Sequence, residues 1–105
     1  MLGIVTSNNV KHVKEVLQIL NINQEDFKVI IGNQEVKRHK PHPDPILKAL
    51  EILNCDKSDV VYIGDAIDDM MCSKNAGVDS ILLDRYGEYK ESIEFEKIAT
   101  LRSLI

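Results

Sequence analysis

No apolar run in this 105-residue chain approaches the ~20 residues a bilayer-spanning helix needs, which argues against a helical membrane protein. A basic excess is also missing. Thirteen Lys and Arg against seventeen Asp and Glu leave a net charge of −4, which argues against a general binder of nucleic acid or anionic membranes. The two cysteines, Cys55 and Cys72, lack CxxC spacing, so free thiols in a reducing cytosol are expected. Met1-Leu2-Gly3-Ile4-Val5 has neither a basic start nor a small-residue cleavage site, so no secretory leader is expected and a cytoplasmic location follows. Internal repeats, low-complexity tracts and an interdomain linker are absent as well, which leaves one domain over residues 1–105.

What is present is an ordinary globular composition, 44% hydrophobic and 29% charged, patterned as alternating short apolar runs and helical periods. Residues 2–6 read as a strand buried on both faces. Asn8 or Asn9 can cap a helix whose apolar stripe is Val10, Val13, Leu17 and Leu20. Residues 27–31 form a second strand closed by Gly32, and residues 33–42 have no period and read as a loop. Asp44-Pro45 looks like a helix start, with Asp44 as N-cap and Ile46, Leu47, Leu50 and Leu53 as the buried face. Residues 60–63 form a third strand, a helix from about Asp68 stops at Gly77 as a left-handed cap, and residues 80–83 form a fourth strand. Ile98, Leu101 and Leu104 suggest a short closing helix. Strands alternating with helices predict an α/β fold with a parallel sheet covered on both faces.

Three polar constellations carry the chemistry. In Val60-Val61-Tyr62-Ile63-Gly64-Asp65, four residues read as a buried strand, Gly64 lets the chain turn, and Asp65 stands at the strand's carboxyl end. That is where open α/β sheets place ligands. Asp69 returns to the same face one helical turn later, and two such carboxylates suit a magnesium ion. Acidic capping of the following helix would explain Asp68 and Asp69 equally well. Thr6 and Ser7 lie before a helix N-terminus, where a hydroxyl and free N–H groups suit either a phosphate or simple capping. Lys40 sits in a basic loop stiffened by Pro41, Pro43 and Pro45. Held rigidly, it could neutralise a phosphate oxygen, and the alternative is a solvated basic loop. His39 and His42 read as loop surface, His12 as the polar side of the first helix, and Met70 and Met71 as helix core.

In this order, Leu2-Gly3-Ile4-Val5-Thr6-Ser7, Lys40-Pro41-His42-Pro43-Asp44-Pro45 and Gly64-Asp65 with Asp69 resemble the second, third and fourth motifs of the haloacid dehalogenase superfamily. They resemble in particular its phosphoglycolate-phosphatase-like branch. Asn75-Ala76-Gly77 also stands where that family has an Ala-Gly turn. The resemblance spans essentially the whole chain. It implies a three-layer α/β/α Rossmannoid core and hydrolysis of a phosphorylated small molecule. Thr6, with Ser7 beside it, would bind phosphate, and Lys40 would neutralise phosphate and nucleophile. Asp65 would contact magnesium, with Asp69 supporting the site from behind.

The family's first motif, an Asp-x-Asp pair that supplies the nucleophile and the general acid–base, occurs nowhere in the 105 residues. The cap domain that selects substrate is missing too. Phosphoryl transfer through an aspartyl-phosphate needs an in-line carboxylate, and neither Asp44 nor Asp68 stands where the family has it. The expectation is a phosphatase core fragment inactive on its own, with weak magnesium binding at Asp65 alone. The alternatives are a non-catalytic phosphate-binding module or a truncated relic. The family's strand order also places the absent nucleophile strand between the first and third strands of this chain. Those strands could close up, a second copy could fill the gap as a homodimer, or a complementing N-terminal half could do so. Closure or homodimerisation is the leading expectation.

Overall fold

In the computed structural model, residues 1–84, 87 and 96–98 are described. The elements are β1 (Leu2–Val5), α1 (Val10–Ile19), β2 (Phe27–Ile31), α2 (Asp44–Leu53), β3 (Val61–Gly64), α3 (Ile67–Ala76), β4 (Asp79–Leu83) and β5 (Glu96–Ile98). Single 3-10 turns at Gln24–Asp26 and Lys57–Asp59 precede β2 and β3. Strand–helix alternation therefore gives a parallel α/β architecture, as expected from the periodicity. The core lies where α2 and α3 pack against each other and against the strands. Ile46, Leu50, Cys72, Ala76 and Val78 form one buried cluster, and Val29, Ile31 and Ala49 form another.

The sheet is split. β1 pairs in parallel with β2, and β3 pairs in parallel with β4, which in turn pairs in parallel with β5. Among the described residues no ladder joins β1 to β3. The gap that the resemblance implies between these two strands is thus seen among the described residues, and their expected closure is not. An open edge also explains why β1 is not buried on both faces and why β3 is only half-buried: Leu2 is 58% and Val61 52% exposed.

Other expectations need correction. The N-cap of α2 is Pro43, and Asp44 lies inside the first turn, where its carboxylate pairs with Arg38 through two contacts of 3.1 Å instead of capping the helix. Leu47 is exposed and Ala49 takes its place in the core, because α2 packs against two strands and a neighbouring helix at once. Met71 and Leu20 are exposed while Met70 and Leu17 are buried. Ile98 belongs to β5 and not to a helix: its carbonyl accepts from Asp84 N at 2.8 Å, extending the sheet. Leu101 and Leu104 lie outside the described residues. No helix among the described residues is long and apolar enough to cross a membrane.

Candidate active site

Each strand that carries a motif ends toward one cavity. At the end of β1, Thr6 N donates to Ile31 O at 2.9 Å, which keeps Thr6 in register with β2. Its hydroxyl accepts from Asn8 N at 3.1 Å, and Asn9 caps α1 by accepting from His12 N at 2.7 Å. Gly32 closes this turn from below. A Cβ there would lie 2.9 Å from both Asn8 O and Val10 N, so only glycine lets β2 end so close to the start of α1. Ser7 is exposed and does not line the cavity.

Lys40 is brought in by a loop anchored to α3 at three points. Its ammonium donates to Asp69 Oδ1 at 2.5 Å, Asn75 Nδ2 donates to Pro41 O at 2.9 Å, and the Cys72 thiol donates to His42 O at 3.0 Å. The Lys40–Pro41 peptide is cis. The bland alternative, a solvated basic loop, does not describe Lys40, whose side chain is 15% exposed against 9% for Asp69. It does describe Lys37, Arg38 and His39, which are exposed.

Asp69 is the hub. Its Oδ1 accepts from Lys40 and, at 3.3 Å, from the Tyr62 hydroxyl. Its Oδ2 accepts from the backbone N–H of Asp65 and of Ala66, each at 3.2 Å. Four donors occupy the acceptor sites of one carboxylate, so Asp69 orients its neighbours and has no oxygen to spare for a cation. Two of those donors belong to the turn that presents Asp65. The carboxylate therefore fixes the β3–α3 turn and Lys40 together.

Gly64 serves this hub in a different way from the sharp turn expected of it. Positive φ angles among the described residues occur at Asn21, Asn54, Gly77 and Gly87, and not at Gly64, which remains paired within β3. What Gly64 provides is space: a Cβ there would lie 2.3 Å from Asp69 Cβ and 2.6 Å from its Cγ. Gly64→Ala is accordingly expected to push Asp69 out of place and to cost about 1–3 kcal/mol by overpacking. Urea denaturation of the variant checks this, and an unchanged midpoint would show that α3 can shift freely.

The cavity these residues share measures about 630 Å³ and takes Thr6, Asn8, Lys40, Tyr62, Asp65 and Asp69 into its wall. Thr6, Lys40 and Asp65, distant in sequence, thus converge. Asp44 and Asp68 lie outside the lining. Burial, and then the charge of Asp69, pushes the Tyr62 phenol far above its usual range, so it stays a neutral donor. Burial likewise raises the Cys72 thiol, and both cysteines are free. Sequence reasoning missed Tyr62, Asn8 and Asn75. For Tyr62 a signal existed: it is the only hydroxyl in an otherwise aliphatic strand, two residues before Gly64.

The fit of a magnesium ion can be judged from the donors. Among the described residues no group of three or more His, Cys, Asp or Glu could hold a metal. With Asp69 committed, Asp65 is the one other carboxylate lining the cavity among the described residues, short of what an octahedral cation requires. The residues present do not make a metal site by themselves.

Residues 1–83 match the family model for haloacid dehalogenase-like hydrolases. The chain is 33% identical over 96 residues to a phosphoglycolate phosphatase from Escherichia coli, covering 91% of this chain and 38% of that protein. Among solved structures, a HAD phosphatase from Thermococcus onnurineus superposes with a TM-score of 0.87 at 29% identity, over 98% of this chain and 47% of the other. A 2-haloacid dehalogenase from Pseudomonas syringae pv. Tomato superposes at 0.73 with 25% identity, over 84% of this chain and 39% of the other. The chain spans under two-fifths of the length of the curated relatives it matches, 36% and 38% of the first two. Its ordered motifs and parallel architecture, together with these similarities, lead to one conclusion: this chain belongs to the haloacid dehalogenase-like hydrolase family.

Proposed function

We propose that this chain is the phosphate-receiving part of a phosphomonoester hydrolase whose nucleophile lies outside these 105 residues. The observation that carries the reading is the convergence of Thr6, Lys40 and Asp65 on one cavity. In this reading the Thr6 hydroxyl and the adjacent backbone N–H groups hold phosphate oxygens, with exposed Ser7 at the rim. The Lys40 ammonium, held by Asp69, offers its remaining hydrogens to the phosphate of a small phosphorylated molecule. Asp65 supplies one carboxylate toward magnesium, and the rest of that ion's ligands come with the missing segment and the substrate. The likeness to a phosphoglycolate phosphatase suggests a small anionic substrate, and the free thiols suit a reducing, cytoplasmic setting.

The test is binding without turnover. Calorimetry should show inorganic phosphate binding to the chain, reduced in Thr6→Ala and lost in Lys40→Ala. Magnesium alone should bind weakly, and p-nitrophenyl phosphate should not be hydrolysed. Robust hydrolysis abolished by Asp65→Asn would overturn the proposal by revealing a nucleophile within the chain. Absence of phosphate binding at millimolar ligand would overturn the cavity's role.

A further inference from the structure

We infer that Asn75 is a positioning residue for Lys40: it holds the backbone end of that side chain, and so the place of the ammonium in the cavity, without touching the cavity itself. That α3 holds the loop stands on the contacts, whereas the consequence for phosphate rests on the function proposed above.

A lysine has two ends to fix. Its ammonium is a point charge on a flexible four-carbon stem, so a partner at the tip leaves the Cα free to swing. Asp69 holds the tip of Lys40. The backbone end lies in Lys40-Pro41-His42-Pro43-Asp44-Pro45, where three of six residues have no N–H to give. His42 N donates to His39 O at 3.0 Å, but the carbonyls of Pro41 and His42 take their donors from outside the loop.

The helix α3 supplies those donors. Asp69, Cys72 and Asn75 follow one another at intervals of three, the spacing that makes neighbours on a helix surface. The row is about 9 Å long. Asp69 takes the ammonium, the Cys72 thiol donates to His42 O at 3.0 Å, and Asn75 Nδ2 donates to Pro41 O at 2.9 Å. Pro41 is bonded to Lys40 itself, so the Asn75 contact acts one peptide away from the Lys40 Cα. A further hold on the loop, the Arg38–Asp44 pair, has the Arg38 side chain 63% exposed and is screened by water.

The two donors differ in what their removal reveals. Cys72 is fully buried in the cluster shared by α2 and α3, so replacing it disturbs packing as well as the loop. Asn75 is exposed and does not line the cavity. It lies in the last turn of α3, and alanine is the better helix former. Asn75→Ala therefore removes the loop contact without weakening the helix that makes it.

The experiment compares the full chain with Asn75→Ala and Asn75→Gln, using inorganic phosphate as the ligand. Calorimetry should show phosphate bound about fivefold more weakly by Asn75→Ala, the fold-change expected for one lost hydrogen bond, with the urea midpoint unchanged. Asn75→Gln keeps a carboxamide donor and should recover most of the affinity. Hydrogen exchange gives a readout independent of phosphate. In Asn75→Ala the His42 amide should exchange faster, while the amide of Met70, which donates to Ala66 O within α3, keeps its rate. Equal phosphate affinity in Asn75→Ala and the parent chain would overturn the inference, as would a loss matched by a fall in the urea midpoint. An unchanged His42 rate, or Asn75→Gln binding no more tightly than Asn75→Ala, would do the same. The two readings fail separately. Phosphate binding that ignores Asn75 spares the proposed function and removes the positioning role. No phosphate binding by the parent chain removes the proposed function, and the His42 rate alone then decides whether Asn75 holds the loop.

Discussion

Asp69→Ala is expected to lower stability by about 3–5 kcal/mol, the range for breaking a buried ion pair from one side. The variant strands several groups at once. The Lys40 ammonium keeps its charge in a position where its side chain is 15% exposed. The Tyr62 hydroxyl and the N–H groups of Asp65 and Ala66 lose their common acceptor. Removing the other partner should cost less, because in Lys40→Met the Asp69 carboxylate still accepts from Tyr62 and two backbone amides. The two variants compared in urea thus test the hub, and not merely the pair. Equal losses would mean that the salt bridge alone matters. A loss below about 1 kcal/mol for Asp69→Ala, the size of an exposed ion pair, would show that Asp69 does not hold the site together.

Stability should also fall steeply above about pH 9, and Tyr62 should account for much of the slope above about pH 10. Burial and then Asp69 raise the phenol of Tyr62 from its ordinary value of 10.0, and burial raises the Cys72 thiol from 9.0. In the unfolded chain these groups release their protons near their ordinary values, while in the folded chain they keep them. The folded state then binds more protons, so stability falls as pH rises. Their contribution is complete below those ordinary values and is lost from there up to the raised ones, at up to about 1.4 kcal/mol per pH unit for each group. Urea midpoints measured between pH 7 and 11 report this directly. Tyr62→Phe keeps the ring and should change little at pH 7, while flattening the limb above pH 10 by one proton. An unchanged alkaline limb in that variant would show that the phenol titrates freely when folded.

Much of this molecule is legible in the order of its residues. Apolar runs of four or five residues separated by helical periods give β1 to β4 and α1 to α3, because burial on a parallel sheet and helix amphipathicity leave different periods. Thr6, Lys40, Asp65 and Asp69 were readable because local rules place them at strand ends, in a proline-stiffened loop, or one helical turn from a strand end. Ser7 shows the limit of such reading: a neighbouring hydroxyl in the same turn is exposed and does not line the cavity. Gly64 shows another. A glycine after a strand suggests a turn, yet its role comes from Asp69, five residues later and across a close contact.

The amino-acid order by itself determined the family resemblance, the alternation of strands and helices, and the lack of an Asp-x-Asp pair, since these depend on residue type and spacing along one dimension. Only the tertiary structure decided that Asp69 is saturated by four donors, that Tyr62 is one of them, and that β1 and β3 stay apart over an apolar floor. Each of those facts is a meeting of segments distant in the chain, and whether two edges close or remain open depends on how α2 and α3 hold them. No local pattern encodes that balance of packing.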